Sequence, residues 1–525
     1  MNPRTRLAIG SISLSGSKGG LSLFAIVSSS LYLHSPTKRR ADPAETMSHV
    51  SKEQLPLANE NPAPVDGFWP AVREALRGGH KDYTVGPIGR SIILLAIPMV
   101  LEMCMESIFA VVDIKWVSYL GPDAMATVGL TESMLTIIYS LAIGLSIGVT
   151  AMVARRIGEQ DTNGAARVAM QSVFLGLLVA IILALIGAPL APRLLAAMGA
   201  APAVIQHGVW FTRIMLAGNV TVVMLFMINA IFRGAGDAAI AMRVLWLANA
   251  LNIILGPCFI FGLGPFPKLG IAGAAVATNI GRGTGAIYAF IRLVRKGGRF
   301  EIKREHFRIE PAVMGRLVRL SAVGTFQVFI GMASWIGQVR IISTFGTDAL
   351  AGYIVGVRVI LFALLPSWGM SNAAATMVGQ ALGARKPDRA ERSVWLAGLY
   401  NMCVLGVVGL LFVVFAPQII RLFTSEPKLM PYGVDCLRIV ACGFLFYAYG
   451  MVLTQSFNGA GDTWTPTIIN LFVFWLWELP LAYVLAITLH FGPRGVFLAI
   501  MIAFSSLAVV SAIVFRRGKW KTKMV

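Results

Sequence analysis

The sequence is poor in charge. Asp, Glu, Lys and Arg make up 13% of its 525 residues, about half the share in a soluble globular domain. In their place, 56% of residues are hydrophobic and mean hydropathy is +0.73, which marks an all-α polytopic membrane protein. Cysteine is sparse as well. The five, Cys104, Cys258, Cys403, Cys436 and Cys442, lie mostly in apolar runs without metal-ligand spacing, so neither a disulfide framework nor a metal site is expected. The six histidines are scattered. No hydrolase, kinase or phosphate-binding signature is present, which argues against an ATP-burning pump within this chain. Acids are scarce relative to bases, 25 against 45, for a net charge of +20. In a soluble protein that excess would point to nucleic acid; here the loops account for it, and nucleic acid is not expected as a partner.

Twelve long apolar segments are present, at roughly 91–118, 124–153, 165–190, 203–232, 238–262, 269–294, 314–343, 349–381, 391–416, 431–457, 464–489 and 494–515, each long enough to cross a bilayer. Breakers such as Gly121-Pro122, Gly264-Pro265, Gly346 and Gly492-Pro493 separate them. Residues 1–67 read as disordered or as an extension upstream of a true start near Met47. Residues 68–90 form a lead-in, with a short amphipathic helix expected at Phe68–Arg77. Residues 91–296 form a first six-helix lobe, 297–312 a linker, 313–516 a second lobe and 517–525 a basic tail. Lys and Arg in alternate loops number roughly 23 on the side of the termini and about 5 on the other, so both termini and the linker are expected in the cytoplasm. The basic loops are expected to lie on anionic headgroups.

The two lobes repeat at an offset of 225 residues. Gly121-Pro122-Asp123-Ala124 aligns with Gly346-Thr347-Asp348-Ala349, Gly158 with Gly383, and Phe232-Arg233-Gly234-Ala235-Gly236-Asp237 with Phe457-Asn458-Gly459-Ala460-Gly461-Asp462. Six spans per copy make the repeats parallel, with a substrate site expected near their interface. Asp123, Asp348, Asp237 and Asp462 occur in both copies beside glycines and are expected to be helix N-caps. Three acids of the first span behave differently. Glu102, Glu106 and Asp113 fall at roughly 0°, 40° and 20° around a helix, one stripe of costly intramembrane charge. Their repeat mates are Gln327, Gly331 and Gln338. A scaffold does not need acids in one copy only, so the asymmetry singles out Asp113 as functional.

The spans, the parallel repeat and a set of motifs together resemble the multidrug and toxic compound extrusion (MATE) family over about 82–515, most closely its DNA-damage-inducible-type bacterial branch. The motifs are Ile97-Pro98, Val112-Asp113, Leu120-Gly121 with Ala124, Val153-Ala154-Arg155-Arg156-Ile157-Gly158, Phe232 to Asp237, Asn252-Ile253-Ile254-Leu255 with Pro257, and Gly270 to Thr278. The resemblance implies a V-shaped pair of six-helix lobes and a secondary antiporter, not an enzyme. Such a protein exports small organic, often cationic or amphipathic, compounds across the bacterial inner membrane, and it is expected to act as a monomer. No cofactor is implied. The coupling cation is expected to be a proton in preference to sodium, since a sodium site wants several hard oxygen ligands. The family's first-span acid falls on Asp113 and its fifth-span asparagine on Asn252. The acid that the branch often carries four residues later is replaced by Gly256, and the seventh-span glutamate and tenth-span aspartate of the other branch fall on Gln327 and about Tyr447. Glu102 or Glu106 is therefore expected to complete the cation-coupling set.

Five further residues are substrate-site candidates: Glu478 and Trp475 in the aromatic stretch of the eleventh span, Thr278 and Arg282 in the sixth, and Gln338 in the seventh. Glu478 is read either as an attractor of organic cations or as the partner of Arg340 or Arg358. Arg282 is expected to pair with Asp113 or with a glutamate of the stripe. The main alternative is a lipid or lipid-linked glycan flippase of the same superfamily, which the acidic stripe disfavours. A membrane enzyme or channel is a more remote one.

Overall fold

The computed structural model describes residues 67–79, 81–424 and 426–523; the readings for residues 1–66 lie outside the described residues. A surface helix, α1 (Phe68–Arg77), exposes Phe68 and Trp69 and buries Ala71 and Ala75. The first lobe comprises α2 (Ile88–Ser118), α3 (Pro122–Gly158), α4 (Thr162–Ala197), α5 (Pro202–Ala217), α6 (Asn219–Ala235), α7 (Ala238–Phe261) and α8 (Ile271–Val294). The second comprises α9 (Pro311–Ser343), α10 (Thr347–Gly383), α11 (Pro387–Arg421), α12 (Met430–Ala441), α13 (Phe444–Gly459), α14 (Trp464–Asn470), α15 (Leu479–Tyr483) and α16 (Pro493–Arg516). α5 with α6, and α12 with α13, are single spans broken at Gly218 and at its repeat mate Gly443, the second pair bent by 60°. The eleventh span runs Trp464–Thr488. It winds as a π-helix over Leu471–Glu478 and Val484–Thr488, on either side of Pro480, which lacks the N–H that an α-helical ladder needs.

Among the described residues, ten spans are long and apolar enough to cross a membrane, and the bent pair makes an eleventh. The remaining helix of the expected twelve, α8, has full length at 24 residues, but Gly, Ala, Thr, Asn and Arg282 dilute its apolar character. Those small residues let α7 approach, so that a Cβ on Gly281 would press on the Ala248 carbonyl.

The repeat extends to the backbone. Gly236 and Gly461 end their helices at φ 86° and 83°, and the non-glycine pair Gln160 and Arg385 takes φ 59° and 57°. Of the four aspartates expected as N-caps, only Asp237 holds that position. Gly121, Gly346 and Thr463 hold the N-cap positions beside Asp123, Asp348 and Asp462, and Asp237, itself at the N-cap, makes no side-chain cap bond. Asp123 and Asp348 stand inside the first turn, where the helix dipole favours an acid without a direct bond. Asp462 instead receives Thr465 Oγ1 at 2.7 Å and pairs with Lys523 at 3.4 Å. The aspartate that does cap is Asp161, which accepts from the Gly164 amide.

The lobes exchange their first helices. The first half of α2 buries Ile92, Leu95 and Met99 among Ala373, Met377 and Val394 of the second lobe. Reciprocally, Val313 and Leu317 at the start of α9 join the core of the first lobe. Beyond Pro98, α2 packs on α7 of its own lobe. Hydrogen bonds between the lobes among the described residues lie in the half of the bundle that holds α1, the start of α2 and the end of α16. Thr376 Oγ1 donates to the Arg233 carbonyl at 3.1 Å, Gln380 Nε2 to that of Gly234 at 3.0 Å, and Ser321 Oγ to that of Leu145 at 3.4 Å. At that end Arg389 also grips the carbonyls of Tyr83, Val85 and Gly86 at 2.8–3.1 Å.

Candidate functional site

Above these contacts the lobes line an open cavity of about 160 Å³. The first lobe contributes Glu102, Glu106, Asn229, Arg233 and Arg282; the second contributes Trp368, Asn372, Gln455 and Asn458. The first-lobe wall is ionic at these residues and otherwise apolar, with Met103, Ile147 and Phe226 among them, and the second-lobe wall is amide, aromatic and apolar.

The ionic wall is built by α2, α6, α7 and α8. Glu102, 1% exposed, receives Arg233 Nη1 at 2.9 Å and Asn229 Nδ2 at 3.4 Å. One turn on, Glu106 receives Arg282 Nη2 at 3.1 Å and Asn249 Nδ2 at 3.0 Å. Arg282 lies between the rings of Phe109 and Tyr139, 5.5 and 5.7 Å from their centroids, where cation–π attraction adds to the ion pair. A buried carboxylate is tolerable when a cation and hydrogen bonds match it, and here each glutamate has its own arginine. The acidic stripe is thus charge-compensated in the cavity. That corrects the expectation of an acidic chamber, and with it the argument that disfavoured a flippase. The residue that sequence reasoning passed over is Arg233, counted with the loop bases because it adjoins Gly234 and Gly236. Its place on the same helix face as Asn229, one turn apart, is the signal that places both against Glu102. Part of the bonding capacity around the cavity is unused: Glu102 Oε2, Asn229 Oδ1 and Arg282 Nε in the first lobe and Asn458 Oδ1 in the second have no partner.

Asp113 lies farther along α2, toward its C-terminal end. It is half-buried and makes no hydrogen bond or ion pair among the described residues; the charged groups that act on it from a distance are Glu132, which is exposed, and Arg282. Asn252, 3% exposed, donates to Thr278 Oγ1 at 2.8 Å, and Thr278 donates to the Ala274 carbonyl. These two join α7 to α8 but do not line the cavity. Gln338 and Glu478 also lie outside it. Gln338 Nε2 donates to Glu478 Oε1 at 2.7 Å, and neither Arg340 nor Arg358 pairs with Glu478. The expected arginine partner is replaced by an amide because Glu478 turns into the lobe. Trp475 turns the other way; its Nε1 donates to the Ile330 carbonyl at 3.1 Å and its ring is 41% exposed. Of the five substrate candidates, only Arg282 lines the cavity.

Two lobes of repeated helices, joined at one end around a chamber with a charge-matched wall, define a multi-pass membrane carrier. The MatE family model matches residues 98–258 and 325–484, one copy in each lobe. The “Probable multidrug resistance protein NorM” of Thermotoga maritima is 26% identical over 443 residues, covering 84% of this chain and 95% of its own. The “FAD transporter” of Shewanella oneidensis is 24% identical over 398 residues, covering 75% and 88%. Among solved structures, the outward-facing conformation of a multidrug resistance MATE transporter superimposes with TM-score 0.78 at 27% identity, covering 84% of this chain and 98% of that one. A Pyrococcus furiosus transporter of the MOP superfamily, titled for the reverse polarity of its binding pocket, gives 0.77 at 27%, covering 86% and 99%. The chain belongs to the MATE family, whose members are secondary transporters and not enzymes.

Proposed function

We propose that this transporter exports organic, amphipathic compounds across the bacterial inner membrane in exchange for protons, with both termini in the cytoplasm. The basic loops on the side of the termini support that orientation. The lobe contacts then close the cytoplasmic end, and the cavity receives or releases its load from the opposite side.

The observation that carries the reading is the contrast along α2. Glu102 and Glu106 are matched by arginines, whereas Asp113 on the same helix has no direct partner. An acid in that position is a ligand site for a proton. Protonation changes its charge in one lobe only, and α2 reaches into both lobes, with Pro98 between its two halves. The proton thus acts as a ligand with unequal affinity for two arrangements of the lobes. Sodium is disfavoured, because a sodium site wants several oxygens, the Asn252 amide is turned to Thr278, and Gly256 supplies no carboxylate. The cavity supports an amphipathic load: Trp368 and Phe226 offer apolar faces and the ionic wall offers polar anchors.

The test is dye efflux from proteoliposomes under an imposed pH gradient. Asp113→Asn is expected to reduce efflux to the level of protein-free vesicles while the purified variant keeps its size-exclusion profile. Wild-type efflux that a protonophore leaves unchanged, or normal gradient-driven efflux by the variant, refutes proton coupling at Asp113.

A further inference from the structure

Glu478 is a buried acid that the reading above does not use. It is 1% exposed, and among the described residues no Lys, Arg or His reaches ion-pair distance of it. Its Oε1 accepts from Gln338 Nε2 at 2.7 Å, Gln338 Oε1 accepts from the Tyr353 hydroxyl at 2.7 Å, and Glu478 Oε2 has no partner. The titratable groups around it are Tyr353 on α10 and Tyr447 on α13, with Cys436 on α12 acting on Tyr353. None of them supplies positive charge. A neutral acid tolerates a pocket with one donor and no counter-charge; an ionised carboxylate does not.

The repeat gives this arrangement a second meaning. Gln338 is the repeat mate of Asp113. Thr463 adds one residue ahead of α14, so Asn252 and Glu478 stand equally far from the first residues of their helices, Ala238 and Trp464. At these matched positions of the first and fifth spans, each lobe therefore carries one carboxyl and one amide. In the first lobe the carboxyl is on the first span; in the second it is on the fifth.

We propose that Glu478, positioned by Gln338 and Tyr353, is a second proton-binding site, the exchanged counterpart in the second lobe of Asp113 and Asn252 in the first. The step is a proton transfer: one proton from solution adds to a lone pair of the carboxylate and gives the neutral acid, with no other bond made or broken. Glu478 closes a π-helical stretch two residues before Pro480. π-helical turns of this kind occur frequently at functional sites. The proposal rests on the antiport reading for its purpose but not for its test.

The test is pH-dependent infrared difference spectroscopy on the full chain in lipid. The wild type is expected to show a carboxylic-acid C=O band that titrates reversibly, persists in Asp113→Asn and disappears in Glu478→Gln. Tyr353→Phe, which frees Gln338 Oε1, is expected to move the midpoint of that band. Should Glu478→Gln fail to fold, Glu478→Asp together with Tyr353→Phe carries the test, and both are expected to shift the midpoint. A spectrum identical in the wild type and Glu478→Gln, or an unmoved midpoint in both substitutes, overturns the proposal. A Glu478 band that titrates in a protein without gradient-driven efflux supports the site and refutes the antiport reading.

Discussion

Gly158 of α3 and Gly383 of α10, repeat mates in the sequence, face each other where the two lobes meet. A Cβ on Gly158 would overlap the Gln380 carbonyl, and one on Gly383 would overlap that of Arg155. The closed end is thus a backbone-to-backbone contact near the pseudo-twofold axis, and side-chain bonds from Thr376 and Gln380 flank it.

Gly383→Ala inserts a methyl into that contact. Overpacking costs about 1–3 kcal/mol, and it falls only on the arrangement in which the lobes touch. The equilibrium is expected to shift toward lobes parted at that end by a factor of roughly 5–150. Spin labels at the exposed positions Thr162 and Asp388 report it as a longer distance population. A distribution unchanged from the parent would show that the glycines do not limit closure.

Glu102→Gln removes one half of a buried ion pair. The uncompensated Arg233 is expected to cost about 3–5 kcal/mol, whereas Glu102→Gln combined with Arg233→Met recovers most of it. Thermal unfolding in detergent reads both. A single variant as stable as the parent would mean that Arg233 finds another acceptor.

The linker is expected to respond to pH through His306. The ring is 2% exposed, Nδ1 accepts from the Lys303 amide at 3.0 Å, and Nε2 bonds Asn163. Only the neutral ring with its proton on Nε2 satisfies both partners. Burial, aided by Arg167 and Lys303 and opposed by Glu305 and Glu310, holds its pKa below the ordinary 6.5. A base with a depressed folded pKa contributes stability that is complete above 6.5 and is lost as pH falls through the folded value. Amide hydrogen exchange across residues 300–310 is expected to accelerate as pH falls below 6.5, after correction for intrinsic rates, and His306→Gln is expected to flatten that dependence. An equal acceleration in the variant would exclude His306 as the cause.

Arg389→Ala releases the lead-in. The guanidinium donates to the carbonyls of Tyr83, Val85 and Gly86, and bonds to a charged donor contribute about 1.5–3 kcal/mol each without being additive. Trypsin cleavage after Lys81 is expected to quicken several-fold, with Arg389→Lys intermediate because one ammonium cannot reproduce the fork. Unchanged cleavage would assign the hold to Tyr83, whose buried hydroxyl donates to the Gly236 carbonyl at 3.3 Å.

The helical rods and the repeat were legible in the sequence because they depend on local chemistry. Hydropathy sets a span, and Gly121, Gly346, Gly236 and Gly461 set turns wherever they stand. The N-cap reading missed Asp123, Asp348 and Asp462 for a related reason: proximity in sequence to a helix start does not say which residue's backbone leaves the helix. The stripe of Glu102, Glu106 and Asp113 was visible from helix period alone. What each acid faces was not, because its partners come from α6, α7 and α8, more than 100 residues away. The structure turns Arg233 inward onto Glu102, gives Arg282 to Glu106, and buries Glu478 against Gln338 with no cation at all. The sequence alone therefore determined which residues carry charge into the membrane, while tertiary packing decided which of those charges are matched, since in a low-dielectric interior a few ångströms separate an ion pair from a proton site.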